Sequence, residues 1–172
     1  MSSYPAKIEG ASCYVDGARL PVMAEVDLPE IEFEEAGIAG MGLSGVLSGV
    51  LPGLAKAMEA TFKPSGLSSS ALRALVRPGQ STEVDVRWVQ SEFDDRLRAQ
   101  RSVPGRAFMV CAPKGFKAGT IKHGRDDAAE VTVAVSYLRI EQDGVTIIEV
   151  DPVNQILVVD GTDLLADLRA SL

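Results

Sequence analysis

A mainly β fold, an antiparallel barrel or sandwich of two packed sheets with a short flanking α-helix and a C-terminal helix, is what the sequence predicts. Three observations carry the prediction. Residues 83–89 alternate strictly, Val84, Val86 and Trp88 on one face and Glu83, Asp85 and Arg87 on the other, the period-2 signature of a half-buried strand. Two Asp-Gly pairs, Asp16-Gly17 and Asp143-Gly144, stand between apolar runs, the strongest short-range hairpin signal. Helical spacing is confined to two short segments, and 172 residues are room for one domain spanning 1–172.

Taken in chain order, Cys13 to Val15 and Arg19 to Val22 form the arms of the first hairpin. Ala24 to Phe33 continues as one or two strands interrupted at Pro29, because proline cannot donate to a ladder. Ala57 to Phe62 is the next strand. Ser68, Ser69 and Ser70 offer N-cap hydroxyls to a helix over Ala71 to Leu75, which Arg77-Pro78-Gly79 stops. Glu83 to Val89 and Arg106 to Cys111 are strands, and Ala129 to Gln142 is a long one whose fourteen residues would span roughly 45 Å. Asp143-Gly144 turns it back into Val145 to Val150. In the last segment Thr162 is placed to cap a helix with Asp163 in its first turn and Leu164, Leu165 and Leu168 along one stripe. The only tryptophan, Trp88, falls on the core face of its strand.

The segment from Ala36 to Gly53 stands apart. It holds six glycines (Gly37, Gly40, Gly42, Gly45, Gly49, Gly53) interleaved with Ile38, Met41, Leu43, Val46, Leu47, Val50 and Leu51. A disordered linker would be polar, whereas these side chains need burial. The segment is expected to be a loop that either folds over its own core or docks on another surface. Residues 114–128 form a second, flexible and basic loop, with Lys114, Lys117, Lys122, His123 and Arg125.

Charge narrows the function classes. The formal charge of −7 argues against general nucleic-acid affinity, which normally leaves a basic footprint. It is unevenly spread: residues 1–60 balance at −6, residues 61–140 at +5 and residues 141–172 at −6. That order is consistent with solvated faces or with opposite patches that suit a protein meeting copies of itself. No apolar run approaches the roughly 20 residues of a membrane span. Met1 to Pro5 lacks a basic region followed by an apolar core, so no signal peptide is expected and synthesis in a cytoplasm is.

Catalytic chemistry finds no foothold. The single histidine, His123, lies in the basic loop, and neither cysteine, nor any Ser with a partnered acid, stands at a spacing that would position it with His123. Cys13 and Cys111, 98 positions apart, read as small apolar strand residues. Gly37 to Gly42 lacks the second glycine of a dinucleotide fingerprint, and no Lys-Ser or Lys-Thr follows it as a phosphate loop requires. Asp94-Asp95 and Asp126-Asp127 lack an EF-hand pattern. No enzyme activity, cofactor or metal is expected.

The C-terminal half carries a family signature. Tyr137-Leu138-Arg139-Ile140, Asp143-Gly144, Ile148-Glu149-Val150-Asp151-Pro152-Val153-Asn154-Gln155-Ile156 and Asp160-Gly161-Thr162-Asp163-Leu164-Leu165 follow one another in an order that resembles the end of the major tail tube protein of contractile-tailed bacteriophages. Val159-Asp160-Gly161-Thr162-Asp163 departs from that pattern only by an acid for the usual amide. Glu25 to Pro29, Gly37 to Gly42 and Gly66-Leu67 fall where the family has counterparts, so the resemblance runs from about Ala24 to Leu172.

The resemblance implies a structural protein of the virion, assembled in the host bacterial cytoplasm, whose copies form hexameric rings stacked into a tube. Its partners would be itself, a tail sheath protein, a baseplate or tube initiator and a tape-measure protein. DNA would pass through the lumen without specific binding, and an acidic lumen would help it slide. The tube of a phage-derived bacteriocin or a type VI-like injection system is the alternative of the same architecture; a monomeric β-barrel that binds a ligand is the remote one. A head-to-tail ring needs two different surfaces on one chain. The glycine-rich segment is the expected interface, with Gly37, Gly40 and Gly42 permitting close backbone approach and Met41, Leu43, Val46 and Leu47 supplying apolar area.

Overall fold

The computed structural model of the chain describes residues 3–20, 23–39, 44–64, 73, 75–95, 98–119 and 129–171. In order, these form β1 (Ser3–Val15), β2 (Ala18–Leu20), β3 (Met23–Asp27), β4 (Phe33–Ile38), β5 (Leu47–Ala55), β6 (Met58–Pro64), β7 (Thr82–Asp94), β8 (Ala99–Lys117), β9 (Glu130–Gln142), β10 (Val145–Asp151), β11 (Ile156–Val159), β12 (Thr162–Asp163) and a short helix α1 (Ala166–Ala170).

Ten strands make one antiparallel sheet in the order β12-β11-β10-β9-β8-β7-β1-β2, with β6 and β3 branching from it, while β4 and β5 pair only with each other. The branch point is β9. One edge follows β8 along its whole length; the other pairs β6 through Val131–Val135 and then β10 through Leu138–Gln142. At the fork Ser136 is the extra residue of a bulge against β8, and its hydroxyl donates to the Val110 carbonyl at 3.1 Å. Bulges bend and twist a strand, so the sheet splits here into two sandwich-like layers. Among the described residues no pairing closes the sheet into a barrel, because β1 and β3 are not joined.

The apolar faces of both layers meet in one core. Phe62, Met109, Val131, Val133 and Leu138 are fully buried there, and Cys13 and Cys111 join them as free thiols. Along β8, Val103, Gly105, Ala107, Met109 and Cys111 are buried in strict alternation, over a strand far longer than the expected Arg106 to Cys111. Trp88 is half-buried at the margin of the core instead of within it. A Cβ on Gly105 would stand 2.2 Å from Trp88 Cε2, so the cross-strand glycine is what lets the indole lie against β8.

The two Asp-Gly hairpins form as expected. Asp16 and Gly17 have φ of 47° and 77°, and Asp143 and Gly144 have 52° and 77°, the left-handed pair that a two-residue turn between twisted strands requires. Asp160-Gly161 makes a third (48° and 75°) between β11 and β12. The C-terminal helix is consequently shorter than expected. Thr162 and Asp163 are strand residues, and the backbone N–H of Leu165 donates to Asp163 Oδ1 at 3.0 Å in place of a cap by Thr162. Leu165 is buried, whereas Leu164 and Leu168 are exposed. Of the expected helix over Ala71 to Leu75, Arg73 and Leu75 are described and helical, with Leu75 buried; the rest lies outside the described residues.

Candidate assembly surface

The glycine-rich segment is not a loop. Its two ends pair as an antiparallel ribbon of β4 and β5, with Ile38 opposite Leu47 and Glu34 opposite Leu51. The Ile38 side chain lies over Gly49, where a Cβ would stand 3.1 Å from Ile38 Cδ1. Pro52 is tolerated because it falls in the break of the ladder between Leu51 and Ala55. Three residues, Pro52 to Leu54, are extra between Leu51 and Ala55, and this bulge sets Gly53 against the C-terminal segment: its Cβ position is 3.5 Å from Leu168 Cδ2 and 3.9 Å from Leu165 Cδ2. Phe33 and Ala55 pack against the main core below it. The Lys56 amide donates to the Glu32 carbonyl at 2.8 Å and the Lys56 ammonium meets the Glu32 carboxylate at 3.0 Å, closing the base.

Away from the base the described residues leave the ribbon uncovered. Ile38, Val46, Leu47, Val50, Leu51 and Leu54 are all exposed, Val46 to 73%. Isolated exposed apolar residues are ordinary, but six on one two-stranded ribbon, spread over both of its faces, are a concentration that marks an interaction site. A two-stranded ribbon is also marginal in water by itself. Of the expected interface residues, Gly37 lies in β4, Val46 just before β5 and Leu47 at its start; Gly40, Met41, Gly42 and Leu43 lie outside the described residues.

A second surface, on the outer face of the large sheet, was hidden from the sequence. The alternation of β7 assigns Asp85 to solvent, yet it is buried beneath two arginines. Arg87 donates to Asp85 Oδ2 from Nε (2.9 Å) and Nη2 (2.6 Å), and Arg106, across the ladder, donates from Nε to Oδ1 at 2.8 Å and from Nη2 to Oδ2 at 3.1 Å. Burial opposes ionisation of Asp85, but the hydrogen bonds from Arg106 and Arg87 outweigh it and hold the carboxyl below the usual range. Glu141 receives Arg139 and lies 3.9 Å from Arg106. Arg87 also sits over the Tyr14 ring at 4.8 Å, and the Tyr137 hydroxyl donates to Glu149 at 2.8 Å. The spacing of Asp85 and Arg87 on one face is the only part of this network that sequence displays.

The uneven charge resolves differently from either expectation. Lys63 of the basic third binds Glu25 and Asp27 of the first acidic third, and Lys114 binds Glu59. Arg101 meets Asp143, and Arg106 and Arg139 meet Glu141, all acids of the last third. Antiparallel pairing brings distant segments side by side, so much of the charge segregation is neutralised inside one chain. Lys114 to Lys117, expected in a loop, belong to β8; His123 lies outside the described residues.

No cluster of His, Cys, Asp or Glu among the described residues has the geometry to hold a metal. Burial pushes the Cys13 thiol up to about 12 and the Cys111 thiol to about 11, so neither is a nucleophile at neutral pH. The C-terminal signature residues build turns. Asp151 Oδ1 accepts from the amides of Val153 (3.1 Å) and Asn154 (3.0 Å), and Asp151 Oδ2 from Asn154 Nδ2 at 2.6 Å. Asp163 binds Arg169 at 2.6 Å, which chiefly keeps its carboxyl ionised, and so ties the last strand to α1.

Comparison with known proteins fits this geometry. A family model described as phage tail tube protein FII matches residues 5–172. The tail tube protein of Escherichia phage P2 is 24% identical over 170 residues, covering 98% of this chain and 97% of that protein. Among solved structures, the sheath/tube terminator of an extracellular contractile injection system, PVC, has a TM-score of 0.54 at 11% identity, covering 80% of this chain and 97% of that one. A chain of the PVC sheath-tube complex has a TM-score of 0.52 at 12% identity, over 80% and 92%. These likenesses extend the shared fold beyond phages.

Proposed function

We propose, from the premise that the chain belongs to the phage tail tube protein FII family, that its copies assemble into hexameric rings stacked as the inner tube of a contractile tail, the conduit through which DNA is ejected. The family match over nearly the whole length places the chain as the tube component of a contractile tail or phage-like injection system. The observation that carries the finer reading is the β4–β5 ribbon: an apolar, two-stranded projection that a single chain leaves uncovered and a neighbour in the same or the next ring would bury. The protein acts by shape and self-association and performs no catalysis.

A conduit must not hold its cargo. The net charge of −7 repels a phosphate backbone, and Arg87, Arg106 and Arg139 on the outer sheet face are each engaged by a carboxylate of that face. Around the tube stand the sheath, at its base the initiator, and within it the tape-measure protein; the assembled tube is a virion component built in the host cytoplasm. A second reading, the tube of a genome-free injection system, draws on the likeness to the PVC chains, and neighbouring capsid and terminase genes would separate the two.

Negative-stain electron microscopy of the purified chain, concentrated or seeded with baseplates, tests the proposal. Six-fold rings or tubes with a central channel are expected. Particles that remain monomeric at high concentration and in the presence of seeds would overturn it.

A further inference from the structure

The sheet is open between β1 and β3, and the opening carries an apolar groove of about 360 Å³ lined by Ile8, Ala11, Met23, Val26, Leu28 and Trp88. Before Cys13, β1 is paired to β7 alone, and β3 is paired to β6 alone among the described residues, so both strands turn a free edge toward the opening. Free edges beside exposed apolar side chains are what soluble proteins normally cover. No described residue of the ribbon lines the groove, and the ribbon's base is seated on the C-terminal segment, so the described part of the ribbon does not fill the groove of its own chain.

We propose that the groove receives Ile38, Val46 and Leu47 from the β4–β5 ribbon of a second copy of the chain, an inference that rests on the tube reading and names the receiving surface. Projection and groove are both apolar and both uncovered by the described residues, and they are different surfaces of one chain, which is the requirement for a head-to-tail contact that closes a ring or extends a filament. Their charges also complement each other. The ribbon presents Glu34 and Glu35, and no basic residue stands between Arg19 and Lys56. Beside the groove, the exposed Lys7 and Arg19 outnumber the exposed Glu9; Arg19 donates to the Oγ of Ser12, a lining residue, at 3.3 Å. The one acid of the lining, Glu25, is engaged by Lys63 at 2.8 Å. Opposite charges at the rim of an apolar contact set register and speed encounter.

Single-cysteine cross-linking tests this directly. Val46→Cys chains are mixed with Leu28→Cys chains, or with Ala11→Cys chains so that a defect in one groove variant does not decide the result, allowed to assemble and mildly oxidised. Disulfide-linked dimers are read by non-reducing electrophoresis and intact mass. Either mixture is expected to give at least ten-fold more dimer than each variant alone, or than Val46→Cys mixed with Val153→Cys, an 80% exposed position in the β10–β11 turn. Cys13 belongs to the groove lining, so Cys13 and Cys111, both buried, are replaced by Ala in every variant, and the cysteine-free chain serves as the blank. Assemblies that form without this preference would overturn the groove assignment and leave the tube reading standing. Failure of the wild-type chain to assemble under any condition would overturn both.

Discussion

The β7–β8–β9 sheet and the β4–β5 ribbon are built by the same antiparallel pairing and end in opposite situations. Each strand of the sheet has a partner on both sides, and one face is sealed in the core. Among the described residues the ribbon's strands have one partner each, and six large apolar side chains are exposed. The sheet is complete in a single chain. The ribbon is half of something, and the difference between them separates what folds the monomer from what builds the assembly.

Substitutions should split along that line. Leu138→Ala removes a fully buried side chain at the β9 fork and is expected to cost about 2–5 kcal/mol in chemical denaturation, with assembly lost only because the monomer unfolds. Asp85→Asn comes next, at about 1–3 kcal/mol, because it leaves two arginines facing a neutral group. Its pH signature follows from the lowered carboxyl of Asp85: the stabilisation is present above the unfolded value of about 4 and is lost as pH falls through the lower folded value. Acid titration of stability should therefore be steeper in the wild-type chain than in the variant below about pH 4. The paired change Val46→Asp with Leu47→Asp is expected to move monomer stability by less than about 0.5 kcal/mol, since both side chains are exposed, and yet to abolish rings and tubes. A large loss of monomer stability from the ribbon pair would erase the distinction.

Legibility in the sequence follows the same division. Local rules sufficed for Asp16-Gly17 and Asp143-Gly144, where two residues dictate a turn, and for residues 83–89, where alternation reports one buried face. They failed where partners are remote. Asp85 obeys the pattern of a solvent-facing residue and is buried because Arg106, twenty-one positions away, joins Arg87 over it. The charge thirds look like separate patches until antiparallel pairing lays Lys63 beside Glu25 and Arg101 beside Asp143. The segment Ala36 to Gly53 shows its apolar surplus plainly, but its glycines concealed a strand pair, since glycine weakens every strand signal even where, as at Gly49, it sits in a paired ladder. The groove between β1 and β3 had no sequence signal, because its residues come from three separate strands.

Amide hydrogen exchange, compared between the monomer and the assembled form, tests most directly whether the ribbon is the unit that a neighbour completes. The amides of residues 47–55 should exchange quickly in the monomer and slow by at least about ten-fold on assembly, while those of β8 and β9 at the core, already protected, should change little. Equal exchange of residues 47–55 in both forms would contradict the account.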